Sequence, residues 1–240
     1  MVRGTDARLR AGSKAAEYLE DVLTVGARLG VRYDDPLTFV EVVEVVEVAE
    51  VTSVRIPSGR LVVDSPWTDE EPRELAERIA PGVYRVDAAW VEAPHEFMDE
   101  YVSGRECAAI RLCVSDDPVV GWEMSLAVGD DIERLEKGQE VGFETDTAMG
   151  CFSDAVAWPA LTAPFRRFWE ECETCEPGAF VSRDTEALCD GYFERSADES
   201  QSADLLTFMA NEGHSVVWLG RTENGRVASV VVTPHLGVLA

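Results

Sequence analysis

Lysine is nearly absent from this chain of 240 residues: only Lys14 and Lys137 occur, so the remaining cations are arginines. Basic residues of any kind are few, 21 against 46 acidic ones, and the formal net charge is -25. A field of that sign repels nucleic acid and anionic membrane and speeds encounter with cationic surfaces. Nucleic acid and membrane are therefore not expected as partners, and a basic protein is the partner the charge favours. A solvated acidic surface that keeps the chain soluble is the plainer explanation of the same charge.

Long apolar runs are missing too. No stretch approaches the roughly 20 apolar residues that cross a bilayer. From Met1 to Gly30 the charges Arg3, Asp6, Arg8, Arg10 and Lys14 interrupt any export-like run. A cytoplasmic protein is expected, and its six cysteines (Cys107, Cys113, Cys151, Cys172, Cys175, Cys189) read as reduced thiols rather than a disulfide framework. The chain has no Gly-x-Ser-x-Gly elbow, phosphate loop or dinucleotide fingerprint, and its three histidines, His95, His214 and His235, have no recognisable catalytic partner.

The apolar content is 46%, enough for a buried core, and no repeat or low-complexity linker divides the chain. Residues 1–35 form a helical segment in this reading, with apolar positions at helical spacing from Asp6 to Leu29. Glutamates at 41, 44, 47 and 50 interrupt a valine-rich run; the branched side chains select a strand, acidic and at a sheet edge, with a bulge near Glu47. A hairpin is expected around Pro57-Ser-Gly-Arg60, with Gly59 at positive φ. A helix is expected from Thr68 to Ile79, started by a Thr68/Glu71 capping box and ended by Pro81 and Gly82. Strands follow at 83–91, 107–114 and 119–128 as consecutive antiparallel neighbours, then a short helix over 131–137 ended by Gly138. A kinked or two-part aromatic helix spans 154–172, interrupted at Pro159 and Pro164, followed by loop, alone or with a short helix, over 173–204. The last strands are 205–210, 215–220 and 226–232, the final two joined by an Asn224-Gly225 turn. Trp90, Trp122, Trp158 and Trp169 are spaced as core residues. Residues 36–240 are thus expected to form a single α+β domain, mainly antiparallel sheet with helices packed to one side.

Between a strand-like and a helix-like segment, Val141 to Asp154 gathers glycines, two aspartates and small residues. Asp146 and Asp154 flank a glycine turn, so a folded loop can bring both carboxylates to one Mg²⁺ or Ca²⁺, with Glu144, water or Asp64 completing the shell. The structural alternative has Asp154 capping the aromatic helix and Asp146 accepting turn N–H groups. Cys151 beside a helix start is a weak nucleophile candidate, and Cys172-Glu-Thr-Cys175 has redox or zinc spacing but sits at a helix end without a second ligand pair.

Several ordered motifs carry a family resemblance: Ile56 to Asp64 with Pro57 and Gly59, Pro81 to Val86 with Gly82, Trp122 to Ala127, and Asp146 with Gly150, Cys151, Phe152 and Asp154. Over residues 50–158 the chain resembles the bacterial proteins grouped as domain of unknown function 4241. Thr145, Thr147, Ala148 and Met149 depart from the family's central motif, and Asn211 to Ser215 lacks the aspartate of its Gly-Asp-Gly segment. The resemblance implies neither a reaction nor a fold. Two functions are expected on these grounds: a non-enzymatic, immunity-protein-like binder of a basic protein partner, or a divalent-metal-dependent hydrolase using Asp146 and Asp154.

Overall fold

In the computed structural model, residues 6–30, 42–68, 70–92, 95–97, 100–102, 104–136, 138–174, 183–210 and 212–234 are described. In chain order the strands are Arg28–Gly30 (β1), Val42–Ile56 (β2), Arg60–Asp64 (β3), Glu74–Arg78 (β4), Gly82–Glu92 (β5), His95–Phe97 (β6), Glu100–Val102 (β7), Arg105–Cys113 (β8), Gly121–Met124 (β9), Gly142–Thr145 (β10), Met149–Asp154 (β11), Glu186–Leu188 (β12), Phe193–Asp198 (β13), Ala203–Met209 (β14), Gly213–Arg221 (β15) and Val227–Val232 (β16). The helices are Ser13–Asp21 (α1), Trp158–Leu161 (α2) and Ala163–Thr174 (α3). None of them is long and apolar enough to cross a membrane.

Every strand pairing is antiparallel. The larger sheet has eight strands in the order β1-β2-β5-β8-β16-β15-β10, with β9 on β15; the smaller has six, β12-β13-β14-β11-β3-β4. Their inner faces meet in one apolar layer, where Val86, Ile110, Leu112 and Val230 from the larger sheet join Val63, Phe152, Leu206 and Phe208 from the smaller. At one side Arg55 of β2 donates through its N–H and Nε to buried Asp204 of β14, each at 2.9 Å, tying one sheet to the other.

This is a β-sandwich, and it overturns the expected α+β arrangement with helices on one side. The helices flank the sandwich on both outer faces. α1 lies with Leu29, Val43, Val45 and Trp218 on the larger sheet, whereas α2 and α3 lie with Val62, Cys151 and Leu205 on the smaller. A sheet whose inner face already closes a core still carries apolar residues on its outer face, and each such stripe needs its own cover.

The local corrections share a cause. The Pro57–Arg60 turn contains the expected positive φ, +67° at Gly59, yet it joins no hairpin: β2 belongs to the larger sheet and β3 to the smaller. Local turn chemistry is the same for a hairpin and for a corner between sheets. Likewise β8 does not pair with β9, because β16 takes the edge that a hairpin would have used. The helix expected over 68–79 is instead a turn followed by the edge strand β4. Thr68 Oγ1 accepts from Glu70 N–H at 3.3 Å, and Pro72, lacking an N–H, removes the first bond a helix capped at Thr68 would make. The loop expected over 173–204 contains β12 and β13, whose outward residues are polar and hide the alternation. The helix expected from Asp6 to Leu29 is shorter, and its end is strand β1.

Other expectations hold. β2 carries register shifts between Val45 and Glu47 and between Glu50 and Thr52, so the glutamate period is accommodated by bulges. The aromatic helix is in two parts, with Pro159 and Pro164 each in the first turn of its piece, where a missing N–H costs nothing. The Asn224–Gly225 turn joins β15 and β16.

Candidate functional site

The stretch from Val141 to Asp154 is two strands in different sheets: β10 pairs with β15, and β11 lies between β14 and β3. Gly150 is required because a Cβ there would come within 2.5 Å of the Phe208 ring and 2.7 Å of Phe143. Cys151 is wholly buried, and burial holds its thiol well above the ordinary value, so it stays protonated and is no nucleophile. Phe152 stacks obliquely on Phe208 with ring centroids 4.9 Å apart.

Asp154 is buried and heavily bonded. Its Oδ2 accepts from Ser58 N–H at 2.9 Å and Ser58 Oγ at 2.7 Å; its Oδ1 accepts from Val156 N–H at 2.8 Å and Ala157 N–H at 3.3 Å. One carboxylate thus pins the corner where the chain changes sheets and the turn that leads into α2. Asp146 is exposed, in the bend between β10 and β11, where Thr147 N–H goes to Thr145 Oγ1. The structure does not bring the pair together, since β11 alone places about 17 Å between Met149 and Asp154 at the usual strand rise. Asp64 accepts from Ser65 N–H and Arg73 N–H, both at 2.7 Å, and burial raises its pKa. Among the described residues no group of three or more His, Cys, Asp or Glu is placed to hold a metal. Cys175 lies outside the described residues. So do His235 and the side chain of His95, whereas His214 Nδ1 lies 2.8 Å from Glu144 Oε1 across β10 and β15.

A second constellation was not anticipated. On the outer face of the larger sheet Arg85 stands opposite Cys113 and Asp87 opposite Arg111, and Ser229 continues the row beyond Cys113. Asp87 Oδ1 accepts from Arg85 Nε at 2.9 Å; its Oδ2 accepts from Arg111 at 2.6 Å and from Cys113 Sγ at 3.3 Å. Burial alone would raise the Asp87 pKa, but the bonds from Arg111 and Cys113 and the two guanidinium charges hold it below the ordinary value. Burial raises the Cys113 thiol, which is therefore a donor here. Arg85, Arg111, Cys113 and Ser229 floor a cleft of about 460 Å³ walled by Leu19 and Leu23 of the α1 region and by Trp122. The signal available in the sequence was the spacing of Arg85/Asp87 and Arg111/Cys113, polar at every second residue around core-facing Val86 and Leu112.

A third feature is a run of exposed carboxylates. Asp130, Asp131, Glu133, Glu136, Glu140, Glu144 and Asp146 are all exposed along the segment that leads into and out of β10. Within the run Asp130 pairs with Arg73, Asp131 with Arg134, Glu133 with Arg8 and Glu144 with His214, while Arg55, Arg60, Arg111, Arg183 and Arg221 pair with carboxylates elsewhere.

The fold and its cleft define an antiparallel β-sandwich flanked by helices on both outer faces. The chain belongs to the family described as Protein of unknown function (DUF4241), whose model matches residues 54–232. The match begins inside β2 and ends with β16, so it takes in the corner, Asp154 and the floor of the cleft but not α1. No curated protein and no solved structure matches the chain.

Proposed function

We propose that this protein is a non-enzymatic binding protein whose partner is a basic protein, in the manner of bacterial immunity proteins. The observation that carries the reading is the exposed acidic run from Asp130 to Asp146 in a chain of net charge -25. Exposed surface carboxylates in excess over their cationic partners attract a basic protein over about a Debye length, roughly 10 Å at 0.1 M salt, and orient it on approach. In this reading Asp146 contributes charge to a docking surface, and Asp154 serves the fold. The proposal includes a location in the bacterial cytoplasm, where thiols such as Cys107, Cys113 and Cys151 stay reduced.

The test is calorimetric titration against a panel of small basic proteins, nucleases and toxins among them, at low and high salt. A one-to-one complex is expected whose affinity falls with salt. Replacing Glu136, Glu140, Glu144 and Asp146 together by their amides should weaken it about tenfold or more. Binding unchanged by those replacements, or no stoichiometric complex with any basic protein, would sink the reading.

A further inference from the structure

Helix α3 carries its charges in the unfavourable order. Along Arg166-Arg167-Phe168-Trp169-Glu170-Glu171 the arginines stand nearer its N-terminus and the glutamates nearer its C-terminus, with no acid in the first turn and no base in the last. The positive end of a helix dipole favours carboxylates and the negative end favours cations, so each pair lies toward the end that disfavours it. All four side chains are exposed. None of Arg167, Glu170 and Glu171 has an ion-pair partner among the described residues, and Arg166 donates only to neutral oxygens, Thr162 Oγ1 and the Pro159 carbonyl. Between the two pairs Trp169 is 57% exposed, whereas Phe165, one turn earlier, is fully buried. The Trp169 ring lies against that of half-buried Trp67, with centroids 6.1 Å apart. Aromatic surface of this kind, flanked by charges, is the usual centre of a protein interface.

Charge selects the occupant. A basic surface would meet Arg166 and Arg167; an acidic one would meet Glu170, Glu171 and the field of a chain of net charge -25. What fits is a surface with the two signs in the reverse order, and a second α3 running antiparallel supplies it. A two-fold axis beside Phe168 and Trp169 sets the arginines of each copy against the glutamates of the other and brings the two tryptophans together. The two helix dipoles are antiparallel in that pairing as well.

We propose that the protein forms a two-fold symmetric dimer through α3, with Trp169 at its centre. The helix has 12 residues and so spans about 18 Å, a footprint below the roughly 800 Å² per partner of a standard interface. The dimer is therefore weak and reversible, with a dissociation constant in the micromolar range or above. It stands apart from the basic-partner reading, whose carboxylates lie between Asp130 and Asp146: either holds if the other fails.

The test is sedimentation equilibrium of the full chain from micromolar to submillimolar concentration. In about 0.15 M salt a Debye length of about 8 Å screens the like net charges of two chains more than it screens ion pairs in contact. Wild type should pass from monomer to dimer over that range. Trp169→Ser should raise the dissociation constant about tenfold or more. So should Arg166→Glu with Arg167→Glu, and Glu170→Arg with Glu171→Arg, each of which gives this stretch of helix a single sign. Mixed in equal amounts, these two charge-reversed chains should pair with each other at least as tightly as wild type pairs with itself, which chains that had merely misfolded would not do. The proposal is overturned if wild type stays monomeric throughout, if any of the three variants dimerises like wild type, or if the two charge-reversed chains fail to associate when mixed.

Discussion

The two outer faces of the sandwich are covered in different ways. On the smaller sheet, α2 and α3 lie over Val62, Cys151 and Leu205 with Leu161 and Phe165, and the buried polar groups that alternate onto that face, Asp64, Ser153 and Thr207, each have a hydrogen-bond partner. On the larger sheet, α1 covers Val43, Val45, Ala89 and Val91 but leaves Arg85, Arg111 and Cys113 around a cleft. A face whose few polar groups are satisfied within the chain can be closed by a helix. One that turns polar halfway cannot be closed without leaving charges unpaired, and there the chain keeps a cavity.

Breaking the sealed face should cost most. Phe165→Ala removes a fully buried ring that packs edge-on against Trp67, and a loss of about 3–5 kcal/mol is expected by urea unfolding. Asp154→Ala should cost about 2–4 kcal/mol, since it strands donors from Ser58, Val156 and Ala157. Asp154→Asn, which keeps one acceptor oxygen, should recover part of that loss. Gly150→Ala forces a methyl into the Phe208 and Phe143 rings, and a cost of about 1–3 kcal/mol is expected.

The open face should respond more weakly, and to different variables. Because the folded Asp87 carboxyl lies below its ordinary value, its ionised form stabilises the fold above the ordinary carboxylate range near about pH 4. That contribution is lost as pH falls through the folded value. Unfolding midpoints measured from neutral to acid pH should therefore decline less steeply in Asp87→Asn than in wild type. The smallest effect sharpens the contrast most. Ser229→Ala deletes a hydroxyl that bonds to nothing, so it should change stability by no more than about 0.5 kcal/mol, or raise it slightly. A large loss there would mean that the cleft is as tightly sealed as the α2–α3 face.

Much of the candidate site was legible one residue at a time. The burial of Cys151 beside Phe152 and the positive φ at Gly59 follow from neighbours in the chain, whereas the need for glycine at 150 comes from Phe208 on β14. Asp154 was recognisable as a capping acceptor, but its bonds to Ser58 were not, because 96 residues separate the two. Trp90, Trp122 and Trp158 are buried as their spacing implied, whereas Trp169 lies 57% exposed on the outer side of α3. The Arg85–Asp87–Arg111–Cys113 cluster exists only through cross-strand register, which a single strand does not encode.

By itself the sequence determined the charge, the strand character of β2, β5, β8, β14, β15 and β16, the interruption of the aromatic helix and the family, since these rest on composition and on contacts among near neighbours. Tertiary structure decided which sheet each strand joins, and so that Pro57–Arg60 is a corner. It also placed helices on both faces and kept Asp146 and Asp154 apart. Turn and strand propensities are alike in every antiparallel arrangement, and only the burial of both faces of both sheets selects among them.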